Sequence, residues 1–314
     1  MPTLNGTNGP DVLDGSSFNS VIANGLGGDD LINGSVGKDT LSGGDGDDSF
    51  TSSPSDDLID GGAGDDVVDY GHVPVPMTAN LSIVGPQSIT FDKVDTLVSV
   101  EGVHGSAFGD VLTGGPGSNS IYGGSGSDLI TDPGGKNYLR SEDGDDLING
   151  GADFDDINGN KGNDTIDGGT GGHDWLVGGQ GDDSIAGAQA DILWGNLGDD
   201  TLHGGATAAQ LRGGQGDDSI VGGSGAEFIS GDRGNDTESG GAGADIFHGS
   251  QDAGIDRVLD FNQGEGDRVM LDPGTTFALK QVGADTVIDM GSGNQMILVG
   301  VQLSTLKDGW IFGS

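Results

Sequence analysis

Residues 213–221 read GGQGDDSIV, and the same nine-residue form returns at 43–51 (GGDGDDSFT), 61–69 (GGAGDDVVD), 123–131 (GGSGSDLIT), 178–186 (GGQGDDSIA) and 240–248 (GGAGADIFH). The unit is G-G-x-G-x-D-x-U-x, with U a large apolar residue, and about two dozen copies, some degraded, run from Gly6 to Gly249. Its first half turns tightly, because glycine reaches φ > 0 without steric cost. Its second half is a three-residue strand with one inward side chain. Two units close an 18-residue coil of two strands and two turns. Stacked coils then give an all-β, right-handed parallel β-roll around a thin column of Leu, Ile, Val and Phe. Each turn offers an aspartate and outward carbonyls, which are hard oxygen ligands suited to Ca²⁺.

Aspartates recur along one edge of such a roll at Asp110, Asp128, Asp146, Asp164, Asp183, Asp200, Asp218 and Asp236. The steps are 18 residues except for one of 19 and one of 17. Those two length errors fall on the opposite edge and cancel. That opposite edge is weaker: Asn119, Asn137, Asp155, Asp174, Asp191, Gln210, Glu227 and Asp245. An earlier block carries Asp30, Asp48 and Asp66 on one edge and Asp39 and Asp57 on the other, and Asp11 opens the array. Pairing adjacent turns gives an expectation of about ten bound Ca²⁺, each needing six to eight oxygens.

Composition fits this picture. Of 314 residues 66 are Gly, and only five of the 51 acidic residues are Glu, so helix formers are scarce. A net charge of −40 repels nucleic acid and anionic membrane surfaces. Apolar residues make up 32% and there is no cysteine, so neither a thick core nor disulfides hold the chain. No run reaches membrane-spanning length, and residues 1–15 lack a signal-peptide pattern. Few aromatics with high charge is the composition of disorder. Disorder and the calcium-bound roll then become two states of one molecule: unfolded when aspartates ~4.8 Å apart repel, folded when metal bridges them.

The chain resembles the RTX calcium-binding repeat proteins through this nonapeptide. Residues 70–104 interrupt the repeat, and DTLVSVEGV (95–103) with GSAFGDVLTG (105–114) resembles a passage common between RTX blocks. From Ile255 the apolar density rises, and the end resembles that of type I secreted serralysins, lipases and alginate epimerases. The expected organisation is therefore a repeat block at 1–69, an enlarged coil or hairpin at 70–104, a main repeat block at 105–254, and a β cap with secretion segment at 255–314. The resemblance implies export through type I secretion machinery, an extracellular location and folding on calcium outside the cell.

Catalysis is not expected. The histidines (His72, His104, His173, His203, His248) form no H-E-x-x-H, no G-x-S-x-G occurs, and the repeats begin at Gly6. The expected role is structural or interactive, at a surface layer, matrix or adhesion contact, with polysaccharide or cell-surface components as partners. The alternative is a polysaccharide-binding module, with Trp175, Trp194 and Arg212 as its contacts. For the two tryptophans the preferred reading is packing, either inward or over the defect where coil lengths shift.

Overall fold

The computed structural model describes residues 1–207 and 209–313. Strands dominate; among the described residues the one helical element is the 3₁₀ turn Leu303–Thr305, and no helix is long and apolar enough to cross a membrane. The chain divides into two compact units, Met1–Gly151 and Ala152–Ser314. Each is a stack of parallel strands.

In the first unit one sheet runs through Val12–Asp14, Leu31–Asn33, Ser49–Thr51, Val67–Asp69, Gly102–His104, Ser120–Ser125 and Asn137–Asp143. The partner strands of the coils form two further sheets. One climbs from Thr3–Asn5 through Ile22–Gly27, Thr40–Asp45 and Leu58–Ala63 to Lys93–Val98; the other joins Thr78–Asn80, Val111–Thr113, Leu129–Thr131 and Leu147–Asn149. Register advances by one coil per rung: Ile32 pairs with Phe50 and Phe50 with Val68, all at most 1% exposed. The flanking residues of each short strand point outward, which fixes the burial order exposed, buried, half-exposed in Leu31–Asn33.

The break in the repeat does not break the first sheet, because Val68 pairs directly with Val103. The chain between them turns out into Thr78–Asn80 and an antiparallel hairpin, Gly85–Thr90 with Lys93–Val98. The second arm of that hairpin then lies parallel to Leu58–Ala63 as the next rung.

The second unit repeats the plan. One sheet runs from Asp155–Lys161 through Trp175–Gln180, Ile192–Leu197, Gln210–Gln215, Phe228–Arg233 and Ile246–Gly249 to Arg268–Leu271 and Ile311–Phe312. The other runs from Thr165–Asp167 through Ser184–Ala186, Thr201–Gly205, Ser219–Gly223 and Thr237–Gly241 to Ile255–Val258. There the parallel pattern ends: Asn294–Leu298 adds one parallel strand, then Asp285–Gly291 and Ala278–Val282 fold back antiparallel. Phe247, Phe261 and Trp310 close the apolar column in a tilted and an edge-to-face contact, at centroid distances of 6.2 and 6.1 Å.

The two coil-length errors are absorbed in turns, and strand register survives them: Thr165 pairs with Ser184 and Ser184 with Thr201. The tryptophans do not take the inward positions, which corrects that half of the expectation. Leu176 and Leu193 hold the inward positions, whereas Trp175 and Trp194 flank them and meet edge-to-face at 5.3 Å on the outer surface, Trp175 being 41% exposed.

A column one side chain wide has no slack. Leu211→Ala removes a fully buried side chain between Leu193 and Ile229, and is expected to lower stability by about 2–5 kcal/mol in denaturant unfolding of the folded protein.

Candidate metal centre

Within each unit the acidic positions stack in chains of main-chain to side-chain hydrogen bonds. Asp30 N–H donates to Asp48 Oδ1, and Asp48 N–H to Asp66 Oδ1, both at 2.8 Å. In the second unit Asp164 donates to Asp183, Asp183 to Asp200, Asp200 to Asp218 and Asp218 to Asp236, all at 2.8 Å. Each aspartate thus spends one oxygen on the amide of the preceding rung, a charge-assisted bond that fixes its rotamer.

The other oxygen separates the aspartates into two kinds. Oδ2 of Asp30, Asp48, Asp66, Asp128, Asp174, Asp183, Asp200, Asp218, Asp236 and Asp245 is buried with no hydrogen-bond partner. Asp146, Asp155 and Asp164 are buried in the same columns. By contrast, the carboxylates of Asp11, Asp39, Asp57, Asp110 and Asp191 are closed by their own turns. Thr7 N–H and Oγ1–H donate to Asp11, and the corresponding groups of Ser35, Ser53 and Ser106 donate to Asp39, Asp57 and Asp110. Asp191 takes the N–H groups of Ala188 and Gln189.

Each unpartnered oxygen lies over a glycine five positions earlier in the chain, except that of Asp174, which lies by Gly168, six positions earlier. A methyl group on Gly43 would overlap Asp48 Oδ2, and one on Gly195, Gly213 or Gly231 would overlap that of Asp200, Asp218 or Asp236. The same space receives a carbonyl oxygen from the next rung: Gly61 at Gly43, Gly213 at Gly195, Ser141 at Gly123. Among the described residues no three acidic or imidazole side chains converge as a metal cage, so a cation held here would need backbone carbonyls to complete its shell. An all-oxygen set of this kind fits Ca²⁺, and an unpaired buried carboxylate oxygen is otherwise costly.

The family model of the RTX calcium-binding nonapeptide repeat matches residues 5–41, 22–50, 42–71, 104–131, 140–172, 169–202, 185–208, 203–238 and 239–255, more than half of the chain. The chain belongs to the RTX calcium-binding repeat family. Among solved structures it is similar to the extracellular lipase LipA from Serratia marcescens, at 18% identity and a TM-score of 0.32, over 83% of this chain and 45% of the lipase. The chain therefore spans less than half the length of that protein. Comparison with curated proteins finds no match. An RTX repeat roll fits a calcium-binding, non-catalytic module.

Several acids that continue these columns escape the nonapeptide. Asp95 accepts from Asp57 N–H (2.9 Å), Asp256 from Asp236 N–H (3.4 Å) and Asp267 from Asp245 N–H (3.0 Å). Glu227 stands in an aspartate position with both carboxylate oxygens buried and unpartnered, and Asp132 Oδ2 is likewise unpartnered. Pairing by strand register rather than by fixed spacing finds Asp95, Asp256 and Asp267.

Burial dominates the acidity of the columns. It raises Asp66, Asp128 and Asp174 to about 7 and Asp183 and Asp218 to about 8 against an ordinary 3.8, with the backbone hydrogen bond opposing and neighbouring carboxylates adding to the rise. Without metal, these sites hold protons near neutrality.

One rung carries its own cation. Lys93 is 3% exposed and its Nζ lies 3.0 Å from Asp95 Oδ2, while donating to Ser52 Oγ and the Ser53 carbonyl. Tyr70 O–H donates to the same Asp95 oxygen at 2.9 Å, and its ring centroid is 4.9 Å from the ammonium. An ammonium among oxygens does here what a divalent ion would do in the open cradles. Lys93→Met leaves Asp95 buried and unpaired, and is expected to cost about 3–5 kcal/mol even at saturating calcium, measured by thermal or denaturant unfolding.

Proposed function

We propose that this protein is an extracellular calcium-binding roll whose folding is driven by Ca²⁺ after export through type I secretion machinery, and whose role is structural or interactive rather than catalytic. The observation that carries this reading is the run of buried carboxylate oxygens without partners, with a carbonyl of the next rung at the glycines beside Asp30, Asp48, Asp66, Asp128 and Asp200. The ten aspartates with such oxygens, Asp30 to Asp245, are the proposed ligands, with Asp146, Asp155 and Asp164 in the same columns, for ions numbering of the order of ten. The five self-capped aspartates, Asp11, Asp39, Asp57, Asp110 and Asp191, hold the turns without metal.

Folding and binding then share one free energy. At low calcium a chain of net charge −40 with a thin core stays open, the state that threading through an export channel needs. At millimolar external calcium it closes. Calcium titration followed by far-ultraviolet circular dichroism is expected to show β-structure gained cooperatively. A β spectrum unchanged in excess chelator overturns the proposal. Asp218→Asn is expected to raise the calcium midpoint and lower the bound ion number, whereas Asp39→Asn leaves the ion number unchanged.

The pH dependence has a definite sign. Asp66, Asp183, Asp200 and Asp218 hold protons in the metal-free roll up to pH 6–8 that the unfolded chain releases near 3.8. The metal-free roll is therefore most favoured below about pH 4 and loses that support as pH rises through 6 to 8. Calcium must displace these protons. Its midpoint is expected to rise as pH falls from 8 to 6, by up to about tenfold per pH unit for each proton displaced. Titrations at two pH values in a buffer of low calcium affinity check this.

A second reading has its own observation. On the outer surface of the second unit Trp194 is in register with Arg212, Arg212 lies over the Phe228 ring at 5.9 Å, and Trp175 stands exposed beside Trp194. Aromatic and cationic groups on a flat sheet suit a polysaccharide. This reading predicts polysaccharide affinity in calcium that falls at least tenfold in Trp175→Ala, measured by affinity electrophoresis with the circular dichroism spectrum unchanged.

A further inference from the structure

Strand Thr237–Gly241 breaks the rule that the inward position is apolar. That position is Glu238, in register with Ile220 on the rung before and Val258 on the rung after, and it is fully buried. A carboxylate in a column one side chain wide is costly unless something balances it. The charged groups that weigh on it are themselves acids, Asp236, Asp256 and Asp232.

Its two oxygens are unequally served. Oε1 accepts Gly231 N–H at 2.8 Å, while Oε2 has no partner. Gly231 is also the glycine over which Asp236 Oδ2 lies, the oxygen of that turn with no partner. The two carboxylates thus meet at one glycine from opposite directions, Asp236 from its turn and Glu238 across the core. Asp236 Oδ1 is already engaged by Asp218 N–H, and Asp256, 1% exposed, adds charge from the following rung. A proton on Glu238 neutralises that carboxyl alone and does not serve Asp236 Oδ2. A cation between them satisfies both.

We propose that Glu238 Oε2 and Asp236 Oδ2 ligate one divalent cation, Ca²⁺ by donor type, completed by backbone carbonyls, and that this ion is the one the roll releases last. The proposal rests on the calcium-binding reading above. Its novelty is the second carboxylate, supplied from a core position: the neighbouring cradles at Asp200 and Asp218 have Leu202 and Ile220 where this one has Glu238. More ligand charge gives tighter calcium binding. The ion would sit where the chain leaves the repeat and passes into Ile255–Val258, and would fasten that end of the roll.

The test counts ions by native mass spectrometry on the full chain, equilibrated at graded free calcium, for wild type, Glu238→Gln, Glu238→Leu and, as a reference cradle, Asp218→Asn. Wild type is expected to keep one ion after the others have left. Glu238→Gln and Glu238→Leu are expected to lack that class, its release midpoint rising tenfold or more while the weaker classes stay. Asp218→Asn is expected to lose a weaker ion and keep the last. An unchanged count and release profile in Glu238→Gln overturns the proposal. So does a Glu238→Leu variant that melts higher with its count unchanged, the signature of a buried neutral acid. Should Glu238→Gln fail to fold in saturating calcium, Glu238→Leu, which restores the apolar column, decides by the same count. Wild type binding no calcium at all would instead remove the calcium-binding reading, and this site with it.

Discussion

The roll depends on an aspartate that gives one carboxylate oxygen to the amide of the rung below and leaves the other buried and free. The first bond sets the vertical register of the turns, and it repeats at 2.8 Å through four successive rungs of the second unit. The second oxygen makes the register conditional. Carboxylates stacked one strand spacing apart repel, and each rung has only two inward apolar side chains to set against that repulsion and against the entropy of ordering 18 residues. Hydrophobic burial in so thin a body is small against these costs, which is the physical ground for the proposed metal-linked folding.

The same chemical problem, a carboxylate enclosed in the turn, is answered in three ways along the chain. Ser35, Ser53 and Ser106 close their own aspartates with a hydroxyl and an amide. Lys93 brings a covalently attached ammonium to Asp95. The remaining cradles leave room, bounded by glycine, for an ion. The first two answers work at any calcium concentration and the third does not. The first unit combines all three, so its hairpin and the turns beside it keep part of their support when the open cradles are metal-free.

Much of this was legible in the sequence. The nine-residue period fixes the inward residues from Ile32 to Phe247, and the 18-residue spacing fixes the aspartate columns. What escaped did so for identifiable reasons. Asp95, Asp256 and Asp267 lie 38, 20 and 22 residues after their partners, because a hairpin or a loop is inserted, and only strand pairing reveals them. Lys93 carries no local sign that it will be buried. Glu238 is an acid where the pattern calls for an apolar residue, so periodicity reads it as a degraded repeat. The outward tryptophans were in principle readable: the inward residue stands two after the aspartate, which selects Leu176 after Asp174 and Leu193 after Asp191 and leaves Trp175 and Trp194 on either side.

The irregularities in coil length leave the inter-rung bond untouched. The bonds from Asp155 to Asp174 and from Asp174 to Asp191 span 19 and 17 residues, and each is 2.8 Å long. The shortened turn of the second unit ends at Asp191, whose Oδ2 is closed by the N–H groups of Ala188 and Gln189 within the turn itself. The Asp183–Asp200 step is 17 residues since it spans that turn, yet its hydrogen bond stays at 2.8 Å, because the deletion lies on the other edge. The two length changes therefore differ in kind: the shortened turn ends at the self-closed Asp191, whereas the lengthened one ends at Asp174, whose Oδ2 has no partner, and in both the inter-rung hydrogen bond stays at 2.8 Å.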